Sequence, residues 1–300
     1  MTSSLIKGMA AEMGLLEGQV ETIVRTAPLR YKVFSVPKRT GGLRKLAQPA
    51  REVKWLQYWL SARLEPRLPV HKSVTAYRAG CSIRKNAEIH SSGKFLLKMD
   101  FTNFFPSITE VDFRQHIGVW LPNEFSSEDL EVMSRVLFWT EDRTRPLKLC
   151  IGAPTSPFLS NTILFEFDSI ISKQVASDAI TYTRYADDLT FSSSAPNRLK
   201  GIDDLVQAAL SQITYPRLTV NTKKTVHASR ATRRVVTGVV IRPDGGLSVG
   251  RDRKRMVRAM YHRSKVGLLN QEQIDHMNGL INFIESIEPG FARKLRKDGS

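Results

Sequence analysis

Apolar positions along the chain switch repeatedly between helical and strand spacing. Leu5, Met9, Met13 and Leu16 recur every three or four residues, so residues 1 to about 30 read as helical. Tyr31 to Pro37 alternates with a period of two, Thr40-Gly41-Gly42 is a turn signal, and Leu43 to Ala47 reads as the return strand. After Pro49 the helical period resumes, with Val53, Leu56, Leu60 and Leu64 on one face and Trp55 and Trp59 beside them as expected core. Phe95 to Met99 is a strand that closes on Asp100, and Val111 to Trp120 is helical. Pro154 and Pro157 punctuate a loop before a helical stretch from Leu159 to Ile171. Ile180 to Phe191 reads as a hairpin, Ile202 to Ile213 as a helix, and Leu218 to Val220 and Val235 to Ile241 as further strands. Asp244-Gly245-Gly246 is a turn, and the remainder is helical and basic. Strands and helices mix without regular alternation or internal repeat, which predicts an α+β chain rather than a doubly wound sheet.

Composition narrows the class of partner. The 300 residues suffice for two or three subdomains, and an apolar content of 41% predicts a folded chain. No apolar run approaches the roughly 18 residues of a membrane span, and Met1 to Ala10 lacks a signal-peptide layout, so a cytoplasmic, membrane-free setting is expected. Cys81 and Cys150 stand far apart without metal-ligand spacing, which argues against a zinc site or a disulfide framework. A net charge of +16 points to a polyanionic partner, with nucleic acid the commonest. Arg251 to Lys265 holds seven Lys and Arg against Asp252 alone, with Tyr261 and His262 interleaved, and forms a basic helical face suited to a phosphate backbone.

The candidate chemistry lies in Tyr185-Ala186-Asp187-Asp188, where two adjacent carboxylates interrupt an apolar, β-prone run. Such a tetrad suits a tight hairpin presenting acids at its tip, and paired carboxylates suit hard cations such as Mg²⁺, two of which drive phosphoryl transfer. Asp100, at the end of its own apolar strand, is a third carboxylate. It joins the pair only if the two strands are neighbours in a sheet.

The order of these motifs resembles that of reverse transcriptases, and more narrowly bacterial retron reverse transcriptases, from about Val36 to the C-terminal region. Val36-Pro37-Lys38-Arg39-Thr40-Gly41-Gly42-Leu43-Arg44 resembles the fingers hairpin, and Lys98 to Phe105 the first catalytic motif. Gly152 to Pro157 resembles the loop packed against nucleotide and template, Tyr185 to Asp188 the second catalytic motif, and Val220 to Thr225 the palm lysine motif. Asn86-Ala87-Glu88-Ile89-His90 fits an Asn-Ala-x-x-His signature and Val236-Thr237-Gly238 a Val-Thr-Gly triplet, both of retron enzymes. Ile151 departs from the glutamine many relatives carry there, so no role of that side chain transfers.

The resemblance implies a right-hand polymerase fold: an N-terminal helical extension over 1–30, fingers over 31–95, a palm of antiparallel sheet with a fingers insertion over 96–240, and a basic helical thumb over 241–300. It implies that Asp100, Asp187, Asp188 and the carbonyl of Phe101 hold two Mg²⁺ ions, with shaping of the hairpin as the alternative for Asp188. It assigns Lys38, Arg44, Gly152, Ala153 and Lys224 (with Lys223 as the alternative) to the deoxynucleoside triphosphate, and Phe105 to the sugar, where its ring would exclude a 2′-hydroxyl. Asn86, His90, Val236, Thr237, Gly238, Arg251, Arg255 and Arg258 are expected to face RNA, with service to the fold alone as the alternative for Asn86 and His90. The implied partners are a structured non-coding RNA from the same locus, its branched RNA–DNA product and a separate effector protein in phage defence. The competing readings are a group II intron or other prokaryotic reverse transcriptase, and a catalytically silent RNA-binding scaffold. The short chain without a maturase segment argues against the first, and the intact Asp100, Asp187 and Asp188 against the second.

Overall fold

The structure, a computed structural model, describes residues 3–38 and 41–298. Arg39 and Thr40, expected in the fingers hairpin, lie outside the described residues. The first helical stretch is two helices, α1 (Ser4–Met13) and α2 (Glu17–Thr26), because Gly14 ends α1 at a φ of 64°. That left-handed cap suits a residue with no Cβ. The hydroxyls of Ser3 and Ser4 donate to Asp129 and fasten α1 to the helix that carries it.

β1 (Tyr31–Pro37) and β2 (Leu43–Pro49) form an antiparallel ribbon in register from Tyr31↔Pro49 to Pro37↔Leu43. α3 (Arg51–Leu64) buries Val53, Leu56, Leu60 and Leu64 as their spacing predicts. Trp55 does not join them. It stands two residues after Val53, on the far side of a 3.6-residue turn, and is 49% exposed.

α4 (Ile83–Ile89), capped by Ser82, precedes β3 (Phe95–Asp100). α5 (Glu110–Trp120) and α6 (Ser127–Leu137) both open on capping boxes, Thr109 with Asp112 and Ser126 with Asp129. The expected helix from Leu159 is two, α7 (Ser156–Ile163) and α8 (Phe165–Ala176), broken at Leu164. β4 (Thr181–Tyr185), β5 (Asp188–Ser193), α9 (Ile202–Gln212) and β6 (Val226–Ser229) complete the central unit. Leu218 to Val220 is not a strand, and Val220 makes only a single bridge to Phe101.

The expected strand over Val235 to Ile241 is instead a hairpin, β7 (Arg234–Val236) and β8 (Val239–Ile241). Its turn is Thr237-Gly238, at φ 47° and 82°. A two-residue hairpin of this hand needs both central residues at positive φ. β9 (Leu247–Ser248), α10 (Arg251–Lys265), α11 (Gln271–Ile287) and α12 (Phe291–Asp298) follow. None of the described helices is long and apolar enough to cross a membrane.

The central sheet is antiparallel in the order β4-β5-β3-β6, with a second sheet β7-β8-β9. Alternation along β3 sends Leu97 and Met99 into a large core shared with α1, α3, α5, α6 and α8. Leu96, on the opposite face, enters a second core with Ala87, Val236, Val239, Val257, Ile284 and Phe291. The sheet thus has helices packed on one side and, on the other, the small β7-β8-β9 sheet with α4 and the C-terminal helices.

Candidate active site

The β3–β5 register pairs Asp100 directly with Asp188, so the two carboxylate motifs are neighbours in the sheet. Tyr185 pairs with Asp188 to close the β4–β5 hairpin. Asp187 therefore sits in the turn, while Asp188 is the first residue of the strand. Ala186, also in the turn, has a φ of 56°, an unusual conformation for a residue with a Cβ. Two contacts hold the turn in it. The Phe101 amide donates to the Asp187 carbonyl at 3.2 Å, and Arg184 Nη1 donates to the Ala186 carbonyl at 3.3 Å.

Arg184 is fully buried. Its Nε and Nη2 donate to Asp168 of α8 at 2.9 and 2.6 Å, and Asp168 also accepts from the Tyr182 hydroxyl at 2.7 Å. Burial disfavours the guanidinium charge, and the adjacent Asp168 carboxylate outweighs that. Neither Arg184 nor Asp168 is signalled by the sequence pattern, although an arginine inside an apolar strand asks for a buried partner.

Burial, followed by the neighbouring Asp188 and Asp100, pushes the Asp187 carboxyl up to about 6. Asp188 is also raised, by burial first, with Lys98 pulling the other way. Lys224 Nζ donates to both oxygens of Asp100, at 2.8 and 2.9 Å, so Lys224 and not Lys223 touches the carboxylates. Among the described residues no three His, Cys, Asp or Glu side chains stand together as a ready metal cage. The donor set nevertheless fits divalent ions. These are hard carboxylate oxygens, close enough that Asp100 adds to the rise of both Asp187 and Asp188, with the ammoniums of Lys224 and Lys98 opposing it.

The Phe101 ring is buried, stacked on Phe104 at 5.9 Å and edge-on to Phe167. Phe104 is core, while Phe105 is half-buried at its edge. Lys38 and Arg44 are exposed on the hairpin of β1 and β2. Tyr77 was not anticipated. It has a φ of 55°, and its ring lies 6.3 Å from Tyr185. Burial raises its pKa, with Tyr185 and Asp187 adding to the rise and Arg44 opposing it.

Gly152 takes a φ of 125°, and a Cβ there would lie 2.7 Å from the Ala47 carbonyl. The Ala47 amide donates to the Ile151 carbonyl at 2.9 Å, and Cys150 Sγ to the Ala47 carbonyl at 3.3 Å. The loop is thereby bonded to β2, with Ala153 buried in the joint. Ile151 serves this joint through its backbone.

The expected RNA contacts divide. Asn86 and His90 are fully buried. His90 bonds Ser192 Oγ at 2.7 Å and Thr183 Oγ1 at 2.8 Å, and Thr183 donates to Asn86 at 2.7 Å. Val236 is also buried. Direct RNA contact by these three side chains is therefore corrected: they serve the fold, and burial holds His90 neutral, down to about 3. Thr237 is half-buried and Gly238 exposed at their turn, and Arg251, Arg255 and Arg258 are exposed on α10.

Comparison with known proteins agrees with this geometry. A family model described as reverse transcriptase (RNA-dependent DNA polymerase) matches residues 36–241. The Retron Ec83 reverse transcriptase of Escherichia coli is 37% identical, over 92% of this chain and 89% of that protein. The Retron Ec73 reverse transcriptase of the same species is 31% identical, over 91% and 88%. Among solved structures, apo telomerase from Candida tropicalis superposes with a TM-score of 0.53 at 13% identity, over 90% of this chain. It shares the right-hand polymerase fold, and this chain spans 59% of its length. The reverse transcriptase family generally uses divalent metal ions. With its carboxylates on neighbouring strands and its relatives at such identity over nearly their full length, the chain belongs to the bacterial retron reverse transcriptases, a family of RNA-directed DNA polymerases.

Proposed function

We propose that this enzyme copies part of a structured non-coding RNA into DNA, starting from a 2′-hydroxyl of that RNA and leaving a branched RNA–DNA hybrid. The observation that carries the catalytic part is the Asp100↔Asp188 register with Asp187 in the adjoining turn. Asp100, Asp187, Asp188 and the Phe101 carbonyl would hold two Mg²⁺ ions, which supply activation of the attacking hydroxyl and charge neutralisation on the triphosphate. Lys224 leaves Asp100 to meet the departing pyrophosphate, to which its Nζ gives a proton. Lys38 and Arg44 bind the triphosphate from the fingers, the second as a forked donor. Gly152 and Ala153 line the nucleotide's other side through backbone groups. Phe105 sets its ring against the sugar and favours deoxynucleotides.

Thr237, Gly238, Arg251, Arg255 and Arg258 hold the folded RNA through its phosphates and 2′-hydroxyls. The fingers (31–95), palm (96–240), thumb (241–300) and N-terminal extension (1–30) are divisions of the same proposal. So are a cytoplasmic location and a role in phage defence with a separate effector protein. Replacing Asp187 and Asp188 together by Asn is expected to abolish DNA synthesis on an RNA template while RNA affinity stays within about twofold of the parent. Primer extension and filter binding on the same preparations measure both, and full synthesis by that variant would refute the assignment.

A further inference from the structure

Arg51, Trp55 and Tyr58 follow one another on α3 at four- and three-residue intervals, and all three are exposed. Trp55 is 49% and Tyr58 58% accessible, and the Arg51 guanidinium lies over the Trp55 ring at 5.0 Å. Beside this stripe a cleft of about 380 Å³ opens where β1 begins, β2 ends and α3 starts. Arg30, Lys32, Arg51 and Lys54 line it, with Gln48. Glu52 answers Arg30 at 2.7 Å, and among the described residues Lys32, Arg51 and Lys54 form no ion pair. Tyr31↔Pro49 is the base of the ribbon and Pro37↔Leu43 its far end. At about 3.4 Å per residue the cleft lies roughly 20 Å from the hairpin end that carries Lys38 and Arg44. It is therefore separate from the nucleotide site.

We propose that this stripe and cleft form a docking surface for a single-stranded stretch of RNA, with bases on Trp55 and Tyr58 and a phosphate among Lys32, Arg51 and Lys54. The partner follows from chemistry. Flat, exposed aromatic faces accept any unpaired base, and the unanswered cations beside them require a polyanion. A duplex buries its base faces and offers nothing to stack on these rings. The Tyr58 hydroxyl and Gln48 amide supply the neutral groups that a 2′-hydroxyl bonds, which favours RNA over DNA. The proposal rests on the reading of the chain as an RNA-handling enzyme and adds a second place where it grips RNA.

The test uses the full chain and three fluorescent probes: a 12-nucleotide CA-repeat RNA, the same sequence as DNA, and a 12-base-pair RNA duplex. The variants are W55A/Y58A and K32S/K54S, whose side chains lie outside the buried core. W55A/Y58A is expected to weaken single-stranded RNA binding by about tenfold or more while duplex binding changes by less than about twofold. K32S/K54S should lower the steepness of the salt dependence by about one. Unchanged single-strand affinity, an equal loss for duplex, or a larger loss for DNA than for RNA would overturn the proposal. So would unchanged RNA binding together with the release of a partner protein, which would make the stripe a protein interface. Extension of a pre-annealed DNA primer across a two-nucleotide RNA overhang should be the same in both variants and the parent. Failure of the parent in that assay would strike the polymerase reading, while the RNA-binding contrast would still support the docking surface.

Discussion

Burial and two neighbouring carboxylates push Asp187 up to about 6, against an ordinary value of 3.8. Between those values the folded, ion-free chain keeps a proton that the unfolded chain has released, so this group's stabilising contribution is lost as pH rises through about 6. Ion binding runs the other way, because a divalent ion takes the carboxylate, and its affinity should climb as pH passes about 6. His90 and His116, held by burial down to about 3 and about 4, destabilise the fold as pH falls below their ordinary 6.5. A melting curve would mix these opposing effects, so Mn²⁺ affinity followed by electron paramagnetic resonance is the cleaner readout. An affinity flat from about pH 5 to about pH 7.5 would remove Asp187 from the ion site. Beneath the turn, Arg184→Ala leaves Asp168 buried and uncompensated, at a cost of about 3–5 kcal/mol in a denaturant melt. Arg184→Met with Asp168→Leu should restore much of that stability but not DNA synthesis, since the Ala186 carbonyl still lacks its donor. Recovery of both would reduce the pair to core support. The aspartates were legible because two acids in an apolar run have few bland explanations. Asp168 and Tyr77 were not, since each acquires its role only from residues that folding brings to it.

Elements set where the β1–β2 ribbon is anchored. The Gly152 loop is clamped to β2 by the approach of the Ala47 carbonyl, and Gly152→Ala would place a Cβ 2.7 Å from that oxygen at a φ of 125°. The expected cost is about 1–3 kcal/mol of stability. Steady-state kinetics should show the KM for nucleotide rising more than kcat falls, because β2 loses its anchor while the carboxylates keep theirs. An unchanged KM would mean that the clamp does not steer the hairpin. At this scale the sequence was most readable where one period ran uninterrupted, as in β1, β3, α3 and α9. α4 is too short, at seven residues, to display a period. The β7–β8 turn was concealed because Thr237, a β-branched residue, continues the strand composition on either side of it.

Across the whole molecule the +16 charge is the property an RNA meets first. Replacing Arg251, Arg255 and Arg258 with Ser should lower the slope of log affinity against log salt by about three, with similar losses for any RNA sequence. A sequence-dependent loss would instead mark these arginines as base readers. The linear order of motifs made the overall fold legible, because that order is rarely assembled by chance. The strand order β4-β5-β3-β6 was not, since it depends on pairings between remote segments. The same gap between sequence and space appears at α4. Asn86 and His90 grip the central strands β4 and β5 through Thr183 and Ser192, while Ala87 lies in the core of the C-terminal unit, and the Thr237 hydroxyl reaches the Ile83 carbonyl at 3.4 Å. Any exchange of the C-terminal unit between relatives, by recombination or by engineering, therefore has two junctions to respect. A transplant cut once between β6 and β7 would bring in a new C-terminal unit without the helix it is seated on. The seat of the C-terminal unit is thus split in the gene, with residues 83–90 packed as part of it although they lie far upstream.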